Sequence, residues 1–445
     1  MRPHACDPVV SAFRRNVGLA ICLAAIAGPP SDDDSTVFLT AAQANVRALP
    51  VDAPAVAVNA NDGRYIAFTS YARLASADTN VYSDIYVLDR TTRAVTLETS
   101  QPAGLSDLDY AFPHLSGDGR LLVYEASANS GSAGRIIVLR DRWTGVARTI
   151  EPPSEPINNS CRHGTISADG RTVVFTSAAT NAANGPDANG TAEDVYRFDV
   201  PSAAVSRVSV ATDGRQPPDG SSFAPTVSAD GRYIAFSSTA PLDGVVATTP
   251  PGSRPMVNVY MRDLTLSVTT RVSMRPDGAL PNGSSYDAAI SGDGRWVAFV
   301  SDASDLVRDD RNRAPDVFLF DAKSRTTELV SRSEAGGSAN GASTHPAMST
   351  AGTVMAFQSD ASDLTCTRRC APAARDINLV ADVYTFDRRT RLVRRISTGR
   401  ASWAEPSIGP ALDGIGAVVA FSSRHPRDSS DEEDDFDLFV RLPVK

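Results

Sequence analysis

A chain of 445 residues with 42% apolar residues, spread evenly along its length, can build either two or three ordinary domains or one long array of small cores. The net charge is −9, and Lys is almost absent, with only Lys323 and Lys445. There is no basic stripe, which argues against nucleic acid as a partner.

The first 30 residues read as a signal peptide and short linker. Arg14 and Arg15 precede an apolar run over residues 17–27, and Ala25-Ile-Ala27 has the small-x-small form of a cleavage site. The run is too short to cross a bilayer as a helix, and no later stretch is apolar enough. The mature chain is therefore expected to be periplasmic or secreted after cleavage near Ala27, with no transmembrane segment.

Residues 31–445 read as a single domain built from one phrase that returns seven times. Its clearest copies are Ser228-Ala-Asp-Gly-Arg-Tyr-Ile-Ala-Phe-Ser-Ser238 and Ser291-Gly-Asp-Gly-Arg-Trp-Val-Ala-Phe-Val-Ser301. Other copies fall at residues 61–70, 116–126 and 167–177, with weaker ones at 349–359 and 412–423. The Asp-Gly pairs at Asp62-Gly63, Asp118-Gly119, Asp169-Gly170, Asp230-Gly231 and Asp293-Gly294 supply positive φ for a tight hairpin. Each joins a short strand to one that ends in an aromatic residue, and over all seven repeats these aromatics are Phe68, Tyr124, Phe175, Phe236, Phe299, Phe357 and Phe421. A third strand follows a longer loop, as in Asp84-Ile-Tyr-Val87, Asp194-Val-Tyr196 and Asp316-Val-Phe318, and a fourth is rich in β-branched residues.

Four short antiparallel strands make one blade. The expected fold is thus all-β, a seven-bladed β-propeller. Six blades is the alternative, because the third strand of the second repeat is degenerate (Arg135-Ile-Ile-Val138) and the seventh repeat is irregular. The seventh also lacks a fourth strand, whereas Thr36-Val-Phe-Leu-Thr40 has fourth-strand character ahead of the first repeat. The N-terminal strand is expected to complete the last blade and close the ring, hiding an edge that invites aggregation.

The phrase Ser-x-Asp-Gly-Arg…Ala-Phe-x-Ser…Asp-Val-Tyr resembles the TolB-like β-propeller repeat family, WD-repeat-like and found in bacterial envelope and exported proteins. The resemblance covers nearly all of residues 31–445. TolB itself carries an α/β domain before its propeller, for which there is no room here, so its envelope partner is not carried over. Propellers of this repeat type also precede the hydrolase domain of prolyl-oligopeptidase-like enzymes, but Gly-x-Ser-x-Gly is absent from this chain.

Strand alternation puts the short Asp-Gly turns on one face and the long loops on the other, where propellers usually bind. Those long loops carry Asp78-x-Asn80-x3-Asp84, Asp310-x-Asn312-x3-Asp316 and Asp376-x-Asn378-x3-Asp382, with Asp187-x-Asn189-x4-Asp194 one residue longer. Alternating Asp and Asn with a later carboxylate resemble the oxygen cages that hold Ca²⁺, the one cofactor the sequence suggests. The plainer account is that these side chains cap turns and start the third strand.

The seventh repeat has an acidic run, Asp431-Glu-Glu-Asp-Asp435, in the same place. Cys366 and Cys370 could close a small disulfide ring in an oxidising compartment, while Cys161 is left as a buried or half-buried thiol. His114, His163, His345 and His425 are scattered in sequence.

With no nucleophile motif and no cofactor fingerprint, the expectation is an exported, non-enzymatic, monomeric binding or scaffold module. Its partner would be a protein or glycan of the cell envelope, met on the long-loop face. The alternative is a glycan-acting hydrolase or lyase with its site in the channel mouth, a reading that two carboxylates facing each other about 5–9 Å apart would support.

Overall fold

The computed structural model describes residues 36–39, 56–99, 108–128, 134–151, 156–183, 185–245, 255–365, 376, 380–397, 406–423 and 437–441. Its 28 strands form seven four-stranded antiparallel sheets, one per repeat. Blade 3 shows the plan: an inner strand Cys161–Ile166, a second Thr172–Ser177, a third Asp194–Asp199 and an outer Ala204–Arg207. The inner strands of the other blades, in order, are Val56–Val58, Leu108–Leu115, Ser222–Val227, Ser285–Ile290, Ser343–Met348 and Ser407–Leu412. Each touches the inner strands of both neighbours, and that of blade 1 meets that of blade 7, so the ring closes around a central channel. Among the described residues no helix is long and apolar enough to cross a membrane.

Seven blades form, not six. In blade 2 the third strand Ile136–Asp141 pairs with Leu121–Ala128 despite its degenerate sequence. Blade 7 takes its outer strand from the start of the chain: Thr36–Leu39 pairs with Asp437–Arg441, Thr36 opposite Arg441 and Leu39 opposite Leu438.

The repeated phrase is explained by the hydrogen bonds of its turn. In blade 4 the Asp230 carboxylate accepts from the Ser228 hydroxyl (2.7 Å) and from the Arg232 amide (3.0 Å). The Tyr233 amide then donates back to the Ser228 hydroxyl at 2.9 Å. Gly231 closes the turn by donating to the Ser228 carbonyl, and it alone carries positive φ, 73°. The expectation that the Asp-Gly pair supplies positive φ is refined accordingly: the Asp is a side-chain acceptor in an ordinary turn, and the Gly is the left-handed residue after it. Arg232 reaches across to the end of the third strand and grips Asp263 through two nitrogens, at 3.0 and 2.7 Å. Arg64–Asp89, Arg120–Asp141 and Arg295–Asp321 repeat this fork.

These turns also join the blades. The Asn61 amide donates to Gly117 O, Gly117 to Ala168 O, Asp169 to Ala229 O, Ala229 to Gly292 O, Gly292 to Thr350 O and Ala351 to Gly414 O, all at 2.8–3.0 Å. At the seventh junction Gly414 lies so close to blade 1 that a Cβ there would sit 1.9 Å from the Ala60 carbonyl oxygen. In six of the blades the aromatic end of the second strand stacks on the third-strand aromatic, as in Phe175–Tyr196 at 5.6 Å and Phe299–Phe318 at 5.8 Å, whereas in blade 2 Tyr124 lies opposite Val138. Such a pair adds about 0.5–1.5 kcal/mol beyond the area it buries.

A chain that begins at residue 41 loses the outer strand of blade 7 and leaves Asp437–Arg441 as an open edge. It is expected to melt at least about 5 °C below the full chain and to self-associate where the full chain does not, as read by calorimetry and light scattering. Equal melting would remove the closing role of that strand.

The Arg forks also set an acid limit. Hydrogen bonding from Arg64, Arg120 and Arg295 lowers the carboxyls of Asp89, Asp141 and Asp321 to about 2. A carboxyl depressed in the folded state adds stability above its unfolded value of about 4, and loses it as pH falls toward 2. The melting temperature should therefore drop across that window in an acid titration, and by less in the Arg295→Met variant.

Candidate functional site at the channel mouth

The inner strands are not regular. In six of them the pairing to the second strand slips by one residue at the same place, between Ala111 and His114, Arg162 and Thr165, Phe223 and Thr226, Tyr286 and Ala289, Thr344 and Ala347, and Ile408 and Ala411. The first residue of each bulge is left-handed: Phe112, His163, Ala224, Asp287, His345 and Gly409, with φ between 49° and 62°. A left-handed non-Gly residue costs roughly 1 kcal/mol or more, and here the cost is met five times at one level of the ring. The next residue is often Pro (Pro113, Pro225, Pro346, Pro410), which has no amide to lose from the ladder. The inner strands start from the long-loop face, so the bulges lie in the half of the channel nearest that face.

Bulging turns these side chains out of the packed sheet. His163 and His345 are exposed, and Asp287 is half-buried. Beside them, Arg162 pairs with Glu193 and keeps a side chain 43% exposed, and Tyr286 donates to Asp302 at 3.1 Å. Burial and the Asp302 charge push the Tyr286 phenol up to about 12. The freed bulge amides are caught by side chains at some junctions. Glu125 accepts from the His163 amide at 2.6 Å, Gln358 from the Gly409 amide at 3.2 Å, and Asp287 from the His345 amide. Burial raises the carboxyl pKa of both Glu125 and Asp287. At the position of Glu125 and Gln358, blades 1, 3 and 4 have Thr69, Thr176 and Ser237, buried hydroxyls with no hydrogen-bond partner in the protein. A polar group thus stands behind the channel lining in every blade but the fifth, where the position is Val300.

His163 and His345 therefore stand at the same level of one channel, on blades 3 and 6, although the sequence scatters them. His114 lies two residues beyond its own bulge, and burial pushes it down to about 4, which keeps it neutral. The Pro that follows so many bulges was the one sequence signal that could have found this level. Cys161 is the buried free thiol expected. Cys366, Cys370, Asn378, His425, residues 431–435 and the first 30 residues lie outside the described residues.

The Asp and Asn residues of the long loops do come together, blade by blade. Asp84, Asp194, Asp316 and Asp382 each open a third strand and accept from a hydroxyl at the end of the outer strand: Thr99, Ser209 (2.6 Å), Ser331 (2.5 Å) and Ser397 (2.5 Å). In blade 1, Asp78 accepts from the Tyr86 phenol at 2.5 Å and from the Asn80 amide, and Asn80 donates to Asp84 at 2.9 Å. In blade 3, Arg207 lies 3.5 Å from Asp187 and 3.2 Å from Asp194, and the Gln216 amide nitrogen is 2.6–2.9 Å from oxygens of Asp187, Asn189 and Asp194. In blade 6, Arg395 meets both Asp376 and Asp382. Blade 5 has Asp310, Asn312 and Asp316, with Leu329 at the outer-strand position that Arg207 and Arg395 hold in blades 3 and 6.

An open cleft of about 1160 Å³ lies elsewhere, between blades 5 and 6, with Arg311, Arg332, Arg391, Arg394, Arg395 and Arg441 in its wall. Its lining contains no His, so it offers charge but little proton-transfer chemistry.

No protein-family model matches this chain, and no curated protein matches it in sequence. The ring itself is similar to solved structures. An oligogalacturonate lyase in complex with manganese aligns with a TM-score of 0.51 and 14% identity, over 87% of this chain and 88% of that one. An oligogalacturonate lyase from Vibrio parahaemolyticus aligns at 0.54 and 14% identity, over 93% and 95%. TolB from Acinetobacter baumannii aligns at 0.41 and 12% identity, over 88% and 79%. The class so defined is the seven-bladed β-propeller, and the likeness at this identity is one of fold.

One expectation is overturned. The chain was expected to be non-enzymatic, yet two structures that share its ring over nearly their whole length are lyases. The absence of a nucleophile motif does not speak against an enzyme in such a ring. A manganese ion does not fit the mouth as described, because among the described residues no three His, Cys, Asp or Glu side chains converge.

The bulge contacts can be tested directly. Glu125→Ala strips the acceptor from a buried amide and should cost about 1–3 kcal/mol of stability. Glu125→Gln should cost far less, since Gln358 already serves this role in another blade and the lost partner Arg135 is half exposed. Chemical denaturation of both variants reads the difference, and equal losses would show that the amide contact is not what Glu125 supplies.

Proposed function

We propose that this chain is an exported lyase that cleaves a carboxylate-bearing glycan at the channel mouth on the long-loop face. One observation carries the reading. The left-handed bulges set His163, Asp287 and His345 at one level of the channel, with Arg162 next to His163. Elimination from a uronate sugar needs a cation against the sugar carboxylate, a base for the proton α to it, and a proton for the departing glycosidic oxygen. The partly exposed Arg162 guanidinium suits the first task once the sugar carboxylate takes the place of Glu193, and the exposed imidazoles suit the other two. The C–H electrons form the new double bond as the C–O bond breaks, the base keeps the proton taken, and the leaving oxygen gains one.

Hydrolysis is served less well. It calls for two free carboxyl groups, whereas Glu125 and Asp287 each already hold a bulge amide. The names of the similar lyases, which specify an oligogalacturonate, favour the same substrate class. With a net charge of −9, the protein must attract an anionic glycan through local cations, and Arg162 beside the bulge of blade 3 is one of these.

The full chain, incubated with polygalacturonate, alginate and other polyuronates, should release products with the ultraviolet absorbance of an unsaturated uronate. Arg162→Ala and His163→Ala should each lower kcat/KM by about 10²–10⁴ without changing the melting temperature by more than a few degrees. New reducing ends without that absorbance would mean hydrolysis and overturn the elimination. No product from any polyuronate would overturn the reading as a whole.

A further inference from the structure

We propose that blade 5 holds a divalent cation of the Ca²⁺ type between Asp310 and Asp316, in the place that a guanidinium fills in blades 3 and 6. This does not rest on the lyase reading. The argument is a comparison of the molecule with itself. In blade 6, Arg395 lies opposite Tyr384 in the strand register and brings its Nη1 to 3.6 Å from Asp376 Oδ1 and 3.3 Å from Asp382 Oδ2. In blade 3, Arg207 lies opposite Tyr196 and meets Asp187 and Asp194 in the same way. In blade 4, Arg271 lies opposite Tyr260 and pairs with Asp243 at 2.6 Å, and the strand begins with Asn258 in place of a second acid.

Blade 5 has lost both donors. Its register pair is Phe318 opposite Leu329, so neither a phenol nor a guanidinium is present. Blade 1 also has a Leu there, Leu97, but keeps Tyr86, whose hydroxyl satisfies Asp78. Both acids of blade 5 remain: Asp310 is 6% exposed and Asp316 fully buried. Asp316 Oδ1 accepts from Ser331 at 2.5 Å and Oδ2 from Asn312 at 2.8 Å. Asp310 Oδ1, the counterpart of the Asp376 oxygen that faces Arg395, has no hydrogen-bond partner in the protein. Among the described residues neither carboxylate enters an ion pair. The neighbouring Arg311 is exposed, Arg332 pairs with Asp309 at 3.2 Å, and Asp363 adds its own negative charge nearby.

Two buried carboxylates with one oxygen unpartnered are costly unless a cation joins them. The donors are all oxygen, which selects a hard cation, and water can complete a shell of six to eight ligands at about 2.3–2.6 Å. Few protein ligands and only two charges place the affinity in the range of extracellular modules, roughly 10⁻⁴–10⁻³ M.

The test is a calcium titration of the full chain after chelator treatment, by calorimetry and by thermal melting. One site is expected, with a melting temperature about 2–4 °C higher at saturating Ca²⁺. Asp310→Asn should abolish the heat and the shift. Leu329→Arg, which restores the guanidinium of blades 3 and 6, should abolish both and melt higher than wild type in chelator. Asp78→Asn, in blade 1, should leave calcium binding intact. No heat and no shift up to about 10 mM Ca²⁺ would overturn the proposal and assign the charge to a shared proton. Binding that survives both Asp310→Asn and Leu329→Arg would overturn it equally, by placing the ion elsewhere.

Discussion

The structure depends on the chain of backbone hydrogen bonds that runs from blade to blade through the Asp-Gly turns, from Asn61 to Gly117, on to Ala168, and so to Gly414. A propeller blade has little reason to hold a fixed angle to its neighbour if apolar packing alone joins them, since that packing is not directional. Amide-to-carbonyl bonds at 2.8–3.0 Å are directional, and they recur at the same point of each turn. The phrase Ser-x-Asp-Gly-Arg serves that end. The Ser and Asp side chains fold the turn, the Gly gives it its left-handed residue, and the Arg ties it to the third strand of its own blade through the paired Asp.

Fixing one face leaves the other free. The inner strands leave that rigid ring and, in six blades, bulge on the way to the long-loop face, and the bulge places one residue of each at a common level. Because the level is set by backbone, its occupants can vary without cost to the ring: Phe112, His163, Ala224, Asp287, His345 and Gly409 all fit. A position where scaffold demands are met by backbone and side chains are free to differ is where a propeller can acquire chemistry.

This division also explains what could be read from the sequence. The blades, their number and the closing N-terminal strand were legible because turn chemistry is local: Asp230, Gly231 and Arg232 act within a few residues of one another. The mouth was not legible, because His163 and His345 lie 182 positions apart and come to one level of the channel only through the ring. The judgement against an enzyme rested on a missing motif, and a channel built from seven strands needs no contiguous motif. The long loops were half legible. The Asp and Asn spacing announced a shared structure, but what completes each loop sits on the outer strand, at Arg207, Arg271 and Arg395 or at Leu97 and Leu329. That partner is visible only once the register is known.

Within the loops, each blade answers the same electrostatic problem with different means. Two acids at the start of a third strand are useful, since the later one caps the strand through a hydroxyl, as Asp194 does with Ser209 and Asp382 with Ser397. The earlier acid then needs an opposite charge or a strong donor. Blades 3, 4 and 6 supply an arginine and blade 1 a tyrosine hydroxyl, and blade 4 also has Asn258 in place of the later acid. These solutions have one point in common, a donor or cation set against the earlier acid. Blade 5 keeps both acids but has Phe318 and Leu329 where other blades place a phenol or a guanidinium, which is why the counter-charge is proposed to come from solution.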